Sequence, residues 1–241
     1  LAESTAAIYG YNADTSVSIW TITNLIEGPE LIAPGQGFFV SSKNASASLE
    51  FTKDMQVAGD SDDFILGREA NDTNFIKLKG TSTTASSSRS VYFHENGSRC
   101  LDIGYDAAAF GGTIPEFSLF SHLVEDNEGI PMVIQTLHSD DIDDVIIPLS
   151  FNANQGEQIA VSLDTFSLPT SVEVYLEDNV NNTYTLLNTS SYVFTLNTAI
   201  NGSGRFFLHF TSDALSVGEA NLNTLNIYTN QDNRSIVIEG S

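Results

Sequence analysis

From Val172 to Glu177 the chain alternates apolar and polar side chains, with Val172, Val174 and Leu176 on one parity and Glu173, Tyr175 and Glu177 on the other. A period of two puts one set on each face of a strand, so this segment covers a core on one side and meets water on the other. It ends at Asp178-Asn179, and the next apolar stretch begins at Tyr184 after Asn181-Asn182-Thr183, residues that tolerate the left-handed backbone of a tight turn. The pattern predicts a β-hairpin. Similar runs at 145–151, 158–163, 191–196 and 205–210 are bounded by Gly, Asn, Asp or Pro, whereas no long segment repeats apolar residues at i, i+3, i+4 and i+7. Many short strands without helices predict an all-β fold, an antiparallel β-sandwich of jelly-roll type.

An earlier set of strand candidates, 6–11, 16–22, 37–42 and 48–52, reads as the end of a preceding β-rich domain over residues 1–58. The segment 58–63, Ala-Gly-Asp-Ser-Asp-Asp, marks the boundary to the main sandwich, residues 59–211. Within it, 81–88 is almost entirely Ser, Thr and Ala and reads as a flexible loop tip. A polar linker is expected at 212–221, before Leu225, Ile227 and Tyr228 resume an apolar pattern in 222–241.

Thirty-one acidic against nine basic side chains give a formal net charge of −22, which repels nucleic acid and anionic membrane and suits divalent cations, neutral glycans or salty water. No run approaches the ~20 apolar residues of a membrane-spanning helix. The first residues lack the basic region and apolar core of a signal peptide, so the chain is expected to begin inside a longer precursor. The single cysteine, Cys100, rules out an internal disulfide and reads as a small buried hydrophobe.

Candidate chemistry is sparse. Asp140, Asp141, Asp143 and Asp144 form the densest acidic cluster and are the preferred candidates for Ca²⁺, ahead of the looser Asp60, Asp62 and Asp63, although such clusters in an acidic chain are usually solvated turns. Neither has the spacing of an EF-hand. Asp102 and Asp106 bracket Gly104-Tyr105, a spacing that fits a loop clasped by side-chain oxygens better than a cation site. Arg205 stands to pin Glu177 or Asp178, or to lie solvated at a strand end. His94, His122, His138 and His209 share no ligand spacing, GxSxG is missing from the sequence, and no enzyme activity is expected; His209 is expected to face outward. Sugar rings stack on exposed aromatic faces, which makes Trp20, with Tyr9 or Tyr11, and the loop-placed Tyr92 and Tyr105 the glycan candidates, with core packing the stronger reading for Trp20.

The segment Ile32-Ala33-Pro34-Gly35-Gln36-Gly37-Phe38-Phe39-Val40, followed by Phe51-Thr52-Lys53-Asp54-Met55, resembles a recurrent element of large proteins exported by the type IX secretion system of Bacteroidetes-type bacteria. Gly104-Tyr105-Asp106-Ala107, Ile146-Ile147-Pro148-Leu149, Val174-Tyr175-Leu176-Glu177-Asp178 and Gly204-Arg205-Phe206-Phe207-Leu208-His209-Phe210 are similar to segments of the same proteins in the same order. Leu225-Asn226-Ile227-Tyr228 and Ser235-Ile236-Val237-Ile238-Glu239-Gly240 look like the first two strands of their C-terminal β-sandwich sorting domain, of type A, so that 222–241 corresponds to a truncated start of it. The resemblance implies a precursor recognised by the type IX machinery and placed on the cell surface or released. It implies no catalytic residue. The resulting expectation is a non-catalytic surface module acting in adhesion or as a structural stalk, with a carbohydrate-binding module beside a polysaccharide-degrading enzyme as the alternative. Polysaccharide or another surface protein is the expected partner.

Overall fold

The computed structural model describes residues 5–11, 20–27, 31–41, 46, 48–59, 73–110, 115–212, 226–230 and 235–239. The first three strands are β1 (Ile8–Tyr11), β2 (Trp20–Thr23) and β3 (Phe38–Val40), and then come β4 (Asn74–Thr81), β5 (Ser86–His94), β6 (Ala107–Ala108), β7 (Ser118–Ser121) and β8 (Met132–His138). They are followed by β9 (Asp144–Ala153), β10 (Gln158–Ser167), β11 (Glu173–Asp178), β12 (Thr183–Leu186), β13 (Tyr192–Thr195) and β14 (Ile200–Thr211), and last by β15 (Asn226–Asn230) and β16 (Ser235–Glu239). The fold is all-β and sandwich-like, and among the described residues the only helical pieces are short 3₁₀ turns.

Strands β4 to β14 build one sheet in the order β12-β11-β14-β9-β7-β8-β5-β4-β10-β13, with β6 added on β8. It curls until its ends nearly meet. Ile76 and Leu78 of β4, Phe151 of β9, Val161 of β10, Leu176 of β11, Phe194 of β13 and Phe206 of β14 all belong to one buried cluster, so a single face of the sheet has wrapped around its own core. Phe194, near one end of the strand order, lies 5.0 Å from Phe206, near the other. Burying a side chain of this size stabilises by about 1.5–3 kcal/mol, and the inward parity of each strand supplies several.

The predicted hairpin is present. β11 pairs antiparallel with β12 and the turn carries Asn182 at φ 51°. One neighbour relation departs from the antiparallel expectation, because β5 and β8 run parallel. The link between them, residues 95–131, is long enough for such a crossover and contributes β6 and β7 on its way. The Ser-rich stretch 81–88 is shorter as a loop than its composition implies: only 82–85 turn, with Thr81 paired to Ser86. Its serines extend a strand because pairing satisfies their backbone, and Ser87 also exchanges hydrogen bonds with Leu119 through its hydroxyl (3.1 Å from the Leu119 amide). Residues 48–52 form no strand; of 16–22, residues 20–22 lie in β2 and 16–19 lie outside the described residues.

β1 is central in a separate antiparallel sheet, between β2 and β3. This sheet, the part of the fold expected at 1–58, docks on the larger one. The Tyr9 hydroxyl donates to the Ala108 carbonyl (3.1 Å), the Leu25 amide donates to the Gly104 carbonyl (2.9 Å), and Ile26 packs with Phe75, Tyr92, Ala107 and Ile134. At the far end β15 and β16 pair antiparallel, with Asn226 opposite Glu239. The expected linker 212–221 lies, beyond Ser212, outside the described residues, as do Asp60, Asp62 and Asp63.

Gly97 shows where a close approach fixes residue type. A Cβ there would meet the carbonyl group of Leu137, its carbon at 2.6 Å, and this is backbone of β8 that cannot swing aside. Gly97→Ala is expected to cost about 2 kcal/mol, read as a lower urea midpoint at unchanged slope.

Candidate functional site

Two polar clusters in the described residues, around Asp178 and around Asp106, hold the fold together. Asp178, at the end of β11, is 0 % exposed and accepts from Arg205 Nε (2.9 Å) and Nη2 (2.7 Å), from the Tyr192 hydroxyl (2.8 Å), and from the amides of Val180 and Asn181. The sequence offered Glu177 or Asp178 as the arginine's partner, and the structure selects Asp178. A bulge explains the choice. Between Ser203, opposite Ser150, and Phe206, opposite Leu149, β14 carries two extra residues, with Gly204 at φ 99°, and this irregularity turns Arg205 towards the seam. Its guanidinium there lies 5.1 Å from the Phe194 ring centre and 4.7 Å from that of Phe206. Burial pushes the Asp178 carboxyl up, but the hydrogen bonds from Arg205 and Tyr192 and the arginine's charge outweigh it and hold the group below the usual carboxylate range.

The loop bracketed by Asp102 and Asp106 is clasped by side-chain oxygens, as the spacing indicated. Asp106, 1 % exposed, accepts from the amides of Asp102 (2.8 Å) and Thr136 (2.6 Å), and Asp102 accepts from the Ser98 amide (2.6 Å). Gly104 takes φ 87° at its centre and presents the carbonyl that receives Leu25.

The calcium candidates do not converge. Asp141 bonds Arg99 Nε (2.9 Å), Asp140 lies 3.4 Å from His138 Nδ1, and Asp143 and Asp144 are exposed; among the described residues no three His, Cys, Asp or Glu side chains come together as a ligand set. Arg99 supplies a neutralising charge at Asp141. Cys100 is not the buried hydrophobe expected of it: it is partly exposed, with its thiol 3.4 Å from an Asp126 carboxylate oxygen that pushes its pKa up. His209 lies on the outward parity of β14, where its Nε2 is 2.7 Å from Glu177 and Tyr184 donates to the same carboxylate (2.8 Å). This His-Glu-Tyr set is formed by three strands in register, and only the outward placement of His209 was readable beforehand.

The three glycan candidates separate. Tyr92 is in strand β5, not in a loop, and is 2 % exposed, so its ring belongs to the interior. Tyr105 is half-buried against His94, with ring centres 5.7 Å apart, and its hydroxyl receives Asn96. Trp20 alone reaches an open aromatic face. In β1 and β2 it is opposite Tyr11, with ring centres 5.3 Å apart at 72°, and it meets Phe39 of β3 at 5.5 Å and 71°. Phe110, from the segment after β6, packs into this group, 4.6 Å from Tyr9 and 5.0 Å from Trp20. Neither Phe110 nor Phe39 is among the glycan candidates of the sequence, where Phe39 stands only within the motif 32–40; for Phe39 the period-two parity with the strand pairing is the available signal. Tyr11 is 47 % exposed and Phe39 53 %, large apolar areas to leave in water.

A family model described as Domain of unknown function (DUF8693) matches residues 3–210. The chain belongs to this family. The match runs through both sheets and stops within β14, so the docking of the small sheet on the large one lies inside the family's unit. No curated protein and no solved structure matches the chain. Among the described residues no helix is long and apolar enough to cross a membrane.

Proposed function

We propose that this chain is a non-catalytic β-sandwich module of a large cell-surface or secreted protein exported by a type IX system, and that it acts in adhesion through the aromatic face of its small sheet. The observation that carries the adhesive reading is the exposure of Tyr11 and Phe39 on either side of Trp20, while Asp178, Arg205, Asp102 and Asp106 are tied into the fold. Export is supported by the ordered resemblance of the motifs and by the antiparallel pairing of β15 with β16, the two segments that look like sorting-domain strands. The same aromatic face also favours a second reading, a carbohydrate-binding module accompanying a polysaccharide-degrading enzyme.

Retention of microspheres coated with the full chain, on cell layers and matrix films under flow, tests the adhesive role. Tyr11→Ala and Phe39→Ala are expected to cut retention at least tenfold at unchanged melting temperature; retention equal to bare microspheres, or indifferent to both substitutions, overturns it. Export is tested by protease accessibility of the parent protein on intact cells with and without a working type IX system.

A further inference from the structure

The geometry points to an uncharged, single-chain hexopyranose glycan as the ligand of the aromatic face, seated in a notch that exists because residue 37 has no side chain. This rests on the reading of that face as the contact surface and adds the class of ligand and the way it sits.

Strand pairing defines the notch. Tyr9 is opposite Phe39 and Gly10 opposite Phe38, and continuing this antiparallel register places Gly37 opposite Tyr11. On one face of the small sheet, Trp20 and Tyr11 therefore form a row that ends at a bare position, with Phe39 beside it in the next row. Among the described residues, a Cβ built on Gly37 meets nothing within 4 Å, and its backbone lies outside the left-handed region, so neither strain nor crowding from them accounts for glycine there. Gly35, two residues earlier, does require glycine for its turn at φ 90°. What the absent side chain at 37 leaves, among the described residues, is open space beside the exposed Tyr11 and Phe39.

The shape and charge of the notch select the ligand. Trp20 stands at 72° to Tyr11 and 71° to Phe39, so the rings form no flat platform. A flat insoluble surface touches one ring edge at a time, whereas a single chain turning between rings lays the C–H face of a sugar on more than one of them. Apolar ring faces offer no counter-charge, and a net charge of −22 repels a polyanion. Pyranose rings combine an apolar C–H face with hydroxyls that stay in water, which matches half-exposed aromatics better than a purely apolar ligand does.

Calorimetric titration of the full chain with cellohexaose, mannohexaose and maltohexaose, beside polygalacturonate and microcrystalline cellulose, tests this. At least one neutral hexasaccharide is expected to bind, with Tyr11→Ala and Phe39→Ala each weakening it at least tenfold. Gly37→Leu is expected to abolish binding at an unchanged melting temperature, a result that separates a filled notch from a damaged fold. Binding to none of the neutral hexasaccharides, equal affinity for polygalacturonate or for the crystalline surface, or full affinity in Gly37→Leu overturns the inference. Adhesion that needs Tyr11 and Phe39 but is not competed by any neutral hexasaccharide sinks the ligand class and leaves the adhesive reading standing.

Discussion

Asp178→Ala is expected to lower stability by about 3–5 kcal/mol, a fall of roughly 10 °C in melting temperature for a chain of this size. The carboxylate joins three parts of the fold that are distant in sequence: Arg205 in the bulge of β14, Tyr192 at the start of β13, and the turn amides of Val180 and Asn181. β13 and β14 stand near opposite ends of the sheet's strand order, so this group ties the seam where the sheet approaches closure. Removing it leaves a guanidinium with 19 % side-chain exposure and no carboxylate partner, held against two aromatic rings. Breaking one side of such a pair costs more than replacing both sides. Asp178→Leu combined with Arg205→Met is therefore expected to be less damaging than Asp178→Ala alone, with a positive coupling in the double-mutant cycle measured by urea unfolding. The pH dependence has a definite sign. A carboxyl held below its ordinary range when folded contributes its full stability above the unfolded value of about 3.9, and loses it as pH falls through the lower folded value. Acid unfolding of the parent should thus extend lower in pH than that of Arg205→Met.

This clasp shows how far sequence reading reaches. Val172 to Glu177 announces its strand, its buried face and its hairpin because the relevant forces, side-chain parity and turn chemistry, act within a few residues. Arg205 was recognisable as an arginine near acids, yet the choice of Asp178 over Glu177 depends on a bulge whose register is set by β9, more than fifty residues earlier in the sequence. Tyr92 was misplaced because its strand opens with Ser86 to Ser90, a composition typical of loops; the pairing with β4 that makes it a strand is a tertiary fact. The parallel alignment of β5 and β8 has no local signature either, since parity reads the same in both directions. At the aromatic face, Trp20 and Tyr11 were visible as candidates. Phe110 reaches them only because the small sheet docks beside β6, and Gly37 gained its meaning from its place one residue beyond the pairing of β1 with β3.

The second large effect is expected at Asp106, where stability should decline as pH rises. Burial pushes this carboxyl up to about 7; the backbone hydrogen bonds from Asp102 and Thr136 oppose the rise without cancelling it, and the nearby Asp102 charge adds to it. A group whose folded value lies above its unfolded one favours the native state fully below the unfolded value and loses that contribution as pH climbs through the folded one. The window therefore runs from about 4 to about 7, opposite in sense to that of Asp178. Raising a carboxyl from its ordinary 3.8 to about 7 corresponds to roughly 4 kcal/mol at most, since one pH unit is worth about 1.4 kcal/mol. Self-repulsion at a net charge of −22 acts in the same direction, so the parent alone does not isolate the effect. Asp106→Asn does. An amide cannot ionise, and its melting temperature should change less between pH 4.5 and 7.5 than that of the parent. It should also start lower at pH 4.5, because its NH₂ faces one of two amides that each need an acceptor, at a cost of about 1–3 kcal/mol. Equal slopes for the two proteins would assign the pH dependence to overall charge. A shallower slope together with faster hydrogen exchange at Thr136 and Leu25 would place it at this loop, which joins β8 to the small sheet through the Gly104 carbonyl.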